Sequence, residues 1–262
     1  MKRFISLFLI FSLIFSFAAC SDDGKQSEKY SQTEITTTLP PPIVESVEHS
    51  KEFTDENGRV VFTVEVIRPE IVENATESFK KYINGLSLDI FNEACAYAEK
   101  NLENAANFMD SQKSDIPWSK KIDFEVTLSS ERYLCYLIKD YFSMLGGEVE
   151  PSLKTACFDI KNGVPCTLYD FAVEGVTHEN LRRSVVNDLL CPEVSSFFFN
   201  GQELTDEQRN LVFEIFNAEN FYLTESGIGF YLDSYIINPR NTSVFKVNFD
   251  WNEVGFILKL PK

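Results

Sequence analysis

The sequence predicts an α+β domain, with a largely antiparallel sheet packed against one long N-terminal helix and two shorter helices. Three observations carry this. Segments that alternate apolar and polar residues come in blocks and do not trade places strictly with helical segments. One apolar stripe at helical spacing runs from Phe79 to Ala98. Short turns rich in Gly, Asn or Pro separate the strand blocks.

The chain opens with a segment that does not belong to that domain. Lys2 and Arg3 precede an apolar run from Phe4 to Phe17, broken only by Ser6, Ser12 and Ser16. A spanning helix needs roughly 20 apolar residues, so this shorter run reads as the core of an export signal. Ala18, Ala19 and Cys20 follow it. Small residues before a cut and a thiol after it suit a bacterial lipoprotein, because the thiol receives the diacylglyceryl group. Residues 1–19 are therefore expected to be a signal peptide, with Cys20 the lipidated residue. Residues 20–50 are expected to be a disordered stalk, since they are polar and contain Thr36-Thr37-Thr38 and Pro40-Pro41-Pro42. Residues 51–262 are left as the folded, extracytoplasmic part, divisible into lobes 51–130 and 131–262. Its only membrane attachment would be the lipid.

Within the domain, Val60, Phe62, Val64 and Val66 have strand periodicity that ends at Pro69. Asn74 and Glu77 have the form of a capping box. The helix they open carries Phe79, Ile83, Leu86, Ile90, Ala94 and Ala98, with Gly85 a weak point, and ends between Lys100 and Met109. Ile122 to Leu128 and Tyr133 to Phe142 are strands, and Gly146-Gly147 turns the chain into a third, Leu153 to Ile160. A hairpin centred on Gly146 sets Cys135 opposite Cys157. Two readings of that pair stand open, a cross-strand disulfide or two small core residues.

Asn162-Gly163 and Pro165 form the next turn, and Leu168 to Phe171 is a short turn of its own. Thr177 caps a helix bearing Leu181, Val185, Leu189 and Leu190. Thr205 with Gln208 opens another, bearing Leu211, Val212, Ile215 and Phe216. Strands are expected at Phe221–Leu223, Phe230–Ile236 and Val244–Phe249, with Gly227-Ile228-Gly229 as a turn. Trp251 to Leu258 contains both helical and strand spacing.

Charge and cysteine content narrow the function classes. The chain has 24 basic and 40 acidic residues, a net charge of −16. Removing residues 1–19 takes away Lys2 and Arg3 and no acid, so −16 becomes −18. Such a surface disfavours nucleic acid and anionic lipid and would attract a basic protein or cations. With Cys20 lipidated, Cys95, Cys135, Cys157, Cys166 and Cys191 remain, an odd number that leaves at least one unpaired. No C-x-x-C occurs and His49 and His178 are the two histidines, so neither a zinc site nor any other metal or cofactor is expected. His49 falls in the expected stalk and His178 in the first turn of a helix, neither beside a nucleophile.

Several short motifs resemble a family of extracytoplasmic bacterial domains. Phe158-Asp159-Ile160-Lys161-Asn162-Gly163, followed by Leu168-Tyr169-Asp170-Phe171, resembles that family's F-D-L-x-T-G and L-x-D-L-F segments. Ile83-Asn84 matches its I-N on the long helix, and Gly227 to Tyr235 resembles its late G-L-x-F-x-F-x-x-Y. The family includes the outer domain of the anti-sigma factor that binds lysozyme, and modules fused to cell-wall polysaccharide deacetylases. Where the family usually carries G-G-A-H, this chain has Gly146-Gly147-Glu148-Val149, so a role resting on that histidine does not transfer. The anti-sigma relatives also have a cytoplasmic segment and a spanning helix, neither of which is read here.

These readings converge on a lipid-anchored domain that binds a ligand at the cell surface, a wall polymer or a cationic wall-attacking protein such as lysozyme. Its expected contact edges are the turn at Gly146, Gly147, Glu148 and Glu150, and an exposed ring, Phe198, before Asn200-Gly201. A hydrolase of envelope polysaccharide working through carboxylates is the alternative, with Glu148, Glu150, Asp159 and Asp170 available. In turns, however, Asp usually accepts backbone N–H bonds. A purely structural lipoprotein is the third reading.

Overall fold

A computed structural model describes residues 39–147, 150–232, 237 and 244–260; the signal segment and Cys20 lie outside this range. The class is the expected one, but the domain is built on two sheets. A six-stranded sheet runs in sequence order: β1 Ile43–Thr54, β2 Val60–Glu73, β3 Trp118–Ser129, β4 Tyr133–Ser143, β5 Ser152–Asp159 and β6 Val164–Pro165. A second sheet orders β7 Phe221–Leu223, β8 Gly227–Leu232 and β9 Phe245–Asp250. Among the described residues every pairing is antiparallel except β2 with β3. A parallel pair needs a long crossover, and helices α1 Glu77–Lys100 and α2 Leu102–Gln112 supply it.

Three expectations about the first half are corrected. The expected stalk ends earlier than residue 50, because β1 starts at Ile43. Its sequence, IVESVEHSKEFT, is mostly exposed and carries the charged Glu45, Glu48, Lys51 and Glu52. Charged side chains are how a sheet edge avoids pairing with other chains, so an edge strand has the composition of a solvated tail. β2 does not stop at Pro69 but continues to Glu73, with Pro69 opposite Ser46. Proline is tolerated there because β3 pairs with β2 only from Phe62 to Val66, so beyond it one side of β2 is an edge. The cap of α1 is Thr76, whose hydroxyl accepts the Phe79 N–H at 3.3 Å. Asn74 instead takes a left-handed conformation (φ 60°) and donates to the Pro41 carbonyl at 3.1 Å.

A division into lobes at residue 130 is not what forms, since β3 and β4 are hydrogen-bonded neighbours across that point. The layers follow the two faces of the large sheet instead. On one face of the large sheet, Phe62, Val64, Val66, Trp118 and Ile122 pack with Ala94, Ala98 and Met109 of the helices. Further along the same layer, Leu134, Tyr136 and Phe158 meet Phe79 and Ile83 of α1. On the opposite face, Tyr133, Cys135, Leu137 and Cys157 join the core of everything after Leu168.

That second core is enclosed by a 3-10 turn at Leu168–Phe171, α3 His178–Ser184, a π-helical segment Val185–Leu190, α4 Cys191–Phe199, α5 Asp206–Ile215 and α6 Trp251–Val254. The expected helix after Thr177 is thus longer than its apolar stripe indicates. Pro192 explains the widened segment: it has no N–H for Asp188, and its ring would crowd that carbonyl in a regular helix. The Cys191 N–H bonds instead to the Val186 carbonyl, five residues back. Gly227 to Gly229 is strand, not turn. A Cβ at Gly227 would collide with the Phe249 carbonyl, so β8 lies too close to β9 for any side chain there.

Candidate functional site

Where the small sheet lies against the large one, an open cleft of about 440 Å³ remains. β3 contributes Glu125 and Thr127, β4 contributes Leu137, and β9 contributes Lys246 and Asn248, two residues apart and on one face. Tyr222 of β7 and the adjoining Thr224 complete the wall. A register shift between Val126 and Leu128 leaves Thr127 as the extra residue of a bulge, a common way to re-aim one side chain at a site. Its hydroxyl donates to the Cys135 carbonyl at 3.2 Å.

Gly229 shapes the other wall. It sits between Tyr222 on β7 and Asn248 on β9 in the ladder. A Cβ there would run into the Tyr222 ring and the Asn248 Oδ1, so the bare backbone is what lets those two side chains close over β8. Burial pushes the Tyr222 phenol up to about 12, with a hydrogen bond to Asn248 acting in the other direction. Tyr222 therefore keeps its proton at neutral pH.

The Glu125 carboxyl is held below its ordinary range by its hydrogen bond to Lys139, against a smaller opposing effect of burial. The pair lies at 2.8 Å, and Lys246 adds a further positive charge near it. The cleft thus presents a fixed carboxylate, an ammonium, a neutral phenol, an amide and two hydroxyls beside Leu137 and Val126. A few placed polar groups over apolar floor can recognise a ligand bearing hydroxyls, amides or both charges. A carboxyl held ionised does not suit the general-acid step of glycoside cleavage.

The residues expected from sequence are distributed differently. Gly146 and Gly147 do make the β4–β5 turn, with φ of 72° and 91°. They do not line the cleft. Around them Ile116, Met144 and Leu145 are exposed, at 48%, 42% and 53%, an apolar tip that the charged residues of this turn concealed. Glu150 is exposed beside the turn, and Glu148 lies outside the described residues. Phe198 is half-buried and packs on Phe245 with ring centres 5.7 Å apart. The exposed ring is its neighbour Phe197, 60% accessible. The choice between them turns on helix phase, since this stretch is the last turn of α4 and not a loop.

Cys135 and Cys157 are directly opposite, as the hairpin register predicts, and both are buried free thiols. Asp159 accepts the Asn162 N–H at 3.0 Å and pairs with Arg132 at 3.4 Å. Asp170 accepts the Thr167 N–H at 2.6 Å. Both carboxylates are therefore engaged in their own turns. His49 belongs to β1, where its Nε2 accepts from Arg68 at 2.9 Å, and His178 stacks on Tyr169 at 3.8 Å.

No protein-family profile matches the sequence, and comparison with curated proteins finds no match either. Solved structures do resemble the fold. A DUF3298-family protein from Bacteroides fragilis superposes with a TM-score of 0.59 at 16% identity, over 85% of this chain and 95% of that one. A DUF3298-family protein from Pseudomonas aeruginosa gives 0.55 at 12% identity, over 85% and 96%. The architecture is thus that of bacterial domains of unknown function, and at such identity the likeness is one of fold.

Proposed function

We propose that this protein is a lipid-anchored domain outside the cytoplasm that binds a cell-wall ligand, either a wall polymer or a cationic wall-attacking protein such as lysozyme. The observation that carries the reading is the open cleft between the two sheets, where Glu125, Tyr222, Lys246 and Asn248 present fixed donors and acceptors. The signal-like N-terminus with Cys20 supports the location, and the net charge of −16 supports a basic partner. The motif resemblance to lysozyme-binding outer domains points the same way. No helix among the described residues is long and apolar enough to cross a membrane. The attachment in this reading is the lipid on Cys20.

Calorimetric titration with soluble peptidoglycan fragments and with lysozyme, each at low and at physiological salt, tests the reading. The expected result is saturable binding of one of them at physiological salt, weakened about tenfold by Lys246→Ala, or about 1.4 kcal/mol. Binding confined to low salt would be charge attraction without a site. Absence of binding to both would sink the proposal.

A further inference from the structure

Three of the five described cysteines stand in a row across β4, β5 and the residue that follows β6. Cys135 on β4 is directly opposite Cys157 on β5. β5 pairs with β6 through Phe158–Pro165 and Asp159–Val164. The Cys166 N–H donates to the Cys157 carbonyl at 2.7 Å, which extends that register by one residue and sets Cys166 opposite Cys157. Residues opposite one another in an antiparallel ladder share a face, so Cys157 has a thiol neighbour on each side. Among the described residues no group of three or more His, Cys, Asp or Glu is arranged to hold a metal ion. The chemistry of the row is therefore that of sulfur with sulfur.

The hydrogen-bond pattern fixes the spacing. The Ile160 N–H donates to the Arg132 carbonyl at 2.7 Å, making that a hydrogen-bonded pair. Counting inward, such pairs alternate, and Cys135–Cys157 falls on a non-hydrogen-bonded position. There Cα atoms lie about 4.5 Å apart, against about 5.5 Å for the hydrogen-bonded Cys157–Cys166 position. Both fall within the roughly 4.4–6.8 Å that a disulfide spans. Accessibility falls along the row, from the half-buried Cys166 through Cys157 at 3% to Cys135 at 0%. At the inner end, Cys135 Sγ accepts the Leu223 N–H at 3.3 Å. Cys95 and Cys191 are buried elsewhere, and burial pushes both thiols up.

We propose that Cys166, Cys157 and Cys135 form a thiol–disulfide exchange site, which reacts with an external disulfide at Cys166 and stores the oxidation as a buried Cys135–Cys157 bond. The Cys166 thiolate attacks one sulfur of the external disulfide, giving a mixed disulfide and releasing the first thiol. Cys157 then attacks the Cys166 sulfur, and its proton leaves with the second released thiol. Cys135 finally attacks the Cys157 sulfur, returning Cys166 as a free thiol that takes up the Cys135 proton. Two electrons pass from the protein to the external disulfide, and two protein S–H bonds are exchanged for one S–S bond. A straight row suits this sequence, because each attack places three sulfurs in line.

The two inner thiols of the reduced row differ in how readily they ionise. Burial opposes ionisation of Cys135, but hydrogen bonds from Cys157, the Leu223 N–H and Thr127 bring its thiol below the ordinary range. Hydrogen bonding to Cys135 and to Cys166, together with burial, drives the Cys157 thiol well up. In the reduced row Cys135 is thus the more readily ionised of the inner pair, and Cys157, held protonated, must give up its proton as it attacks the Cys166 mixed disulfide.

The test takes the full chain, reduced, and adds glutathione disulfide, with alkylation at intervals and peptide mass spectrometry. The expected course is a transient glutathione adduct on Cys166, ending in a Cys135–Cys157 disulfide with Cys166 alkylated. Cys166→Ser should slow formation of that bond at least tenfold, and Cys135→Ala should halt oxidation at a Cys157–Cys166 bond. A stable adduct on Cys166 alone, a final Cys157–Cys166 bond in the unmodified chain, or unchanged speed in Cys166→Ser would overturn the proposal. The unmodified chain's time course needs no variant to fold. The same oxidation in denaturant should favour Cys157–Cys166, which are nearer in sequence, so the inner pairing is a readout of the folded sheet.

Discussion

The two faces of β4 have opposite fates. Leu134 and Tyr136 point into a layer sealed by α1, where Phe79, Ile83 and Phe158 leave them 0% and 2% accessible. Cys135 and Leu137 are as fully buried, yet they lie on the face where the small sheet covers the large one incompletely and leaves the cleft. The reason is the shape of the covering element. A long helix lays a continuous stripe along the sheet, whereas β7 offers three residues and joins the large sheet through single bonds such as Leu223 N–H to Cys135 and Thr155 Oγ to the Phe221 carbonyl. The sealed face is therefore continuous apolar core, whereas the partly covered face keeps a polar opening.

Breaking the sealed face should produce the largest effect. Phe62 is 0% accessible and touches Tyr97, Trp118 and Phe142 edge-on or tilted. Phe62→Ala is expected to cost about 3–5 kcal/mol by loss of burial and creation of a cavity. A lower urea midpoint would register this, while ligand affinity at the cleft should stay unchanged under conditions where the variant remains folded.

Gly229 sharpens the comparison, because it couples both properties. Gly229→Ala should destabilise by about 1–3 kcal/mol through overpacking and also displace Tyr222 and Asn248. Affinity should fall with stability in this variant, unlike in Phe62→Ala. If the Gly229→Ala variant binds as tightly as the parent, Tyr222 and Asn248 are removed from the site.

Alkaline pH discriminates further. The Tyr133 and Tyr222 phenols are pushed up to about 12, and Tyr136 higher still, chiefly by burial. A raised folded value favours the protonated form, so this stability is complete below about pH 10, the ordinary tyrosine value. It is lost as pH rises toward 12. Near pH 11 each of these phenols should contribute a loss of about 1 kcal/mol. Phenolate absorbance that rises together with unfolding would confirm it; ionisation of all tyrosines near pH 10 in folded protein would contradict it.

The smallest effect is expected at the cleft's ion pair. Glu125 has a lowered folded value, so its contribution exists above the ordinary carboxylate range and disappears as pH falls through the folded value. Its side chain is 48% accessible, so screening by water keeps the value of the pair within about 0.2–1 kcal/mol. Glu125→Gln should therefore leave the thermal midpoint nearly unchanged. Its effect should appear in ligand binding, measured by calorimetry.

Local pattern determined much of this protein. The helical stripe from Phe79 to Ala98, the caps at Thr177 and Thr205, the turn at Gly146 and the Cys135–Cys157 register all follow from spacing alone, because each depends on neighbours within one helix or one hairpin. β1 escaped because an edge strand needs only one partner and can be polar on its exposed side. The strand character of Gly227 and Gly229 escaped because glycine reads as a turn unless the crowding backbone or ring is known.

The cleft was decided by tertiary structure alone. Glu125, Tyr222 and Lys246 come from three strands of two sheets, and nothing in the spacing of one fixes the position of another. The exchange of Phe198 for Phe197 has a related cause, since helix phase at α4 is set by what the core accepts. A sequence records which face of an element is apolar; which faces then meet, and what gap they leave, depends on the packing of segments far apart in the chain.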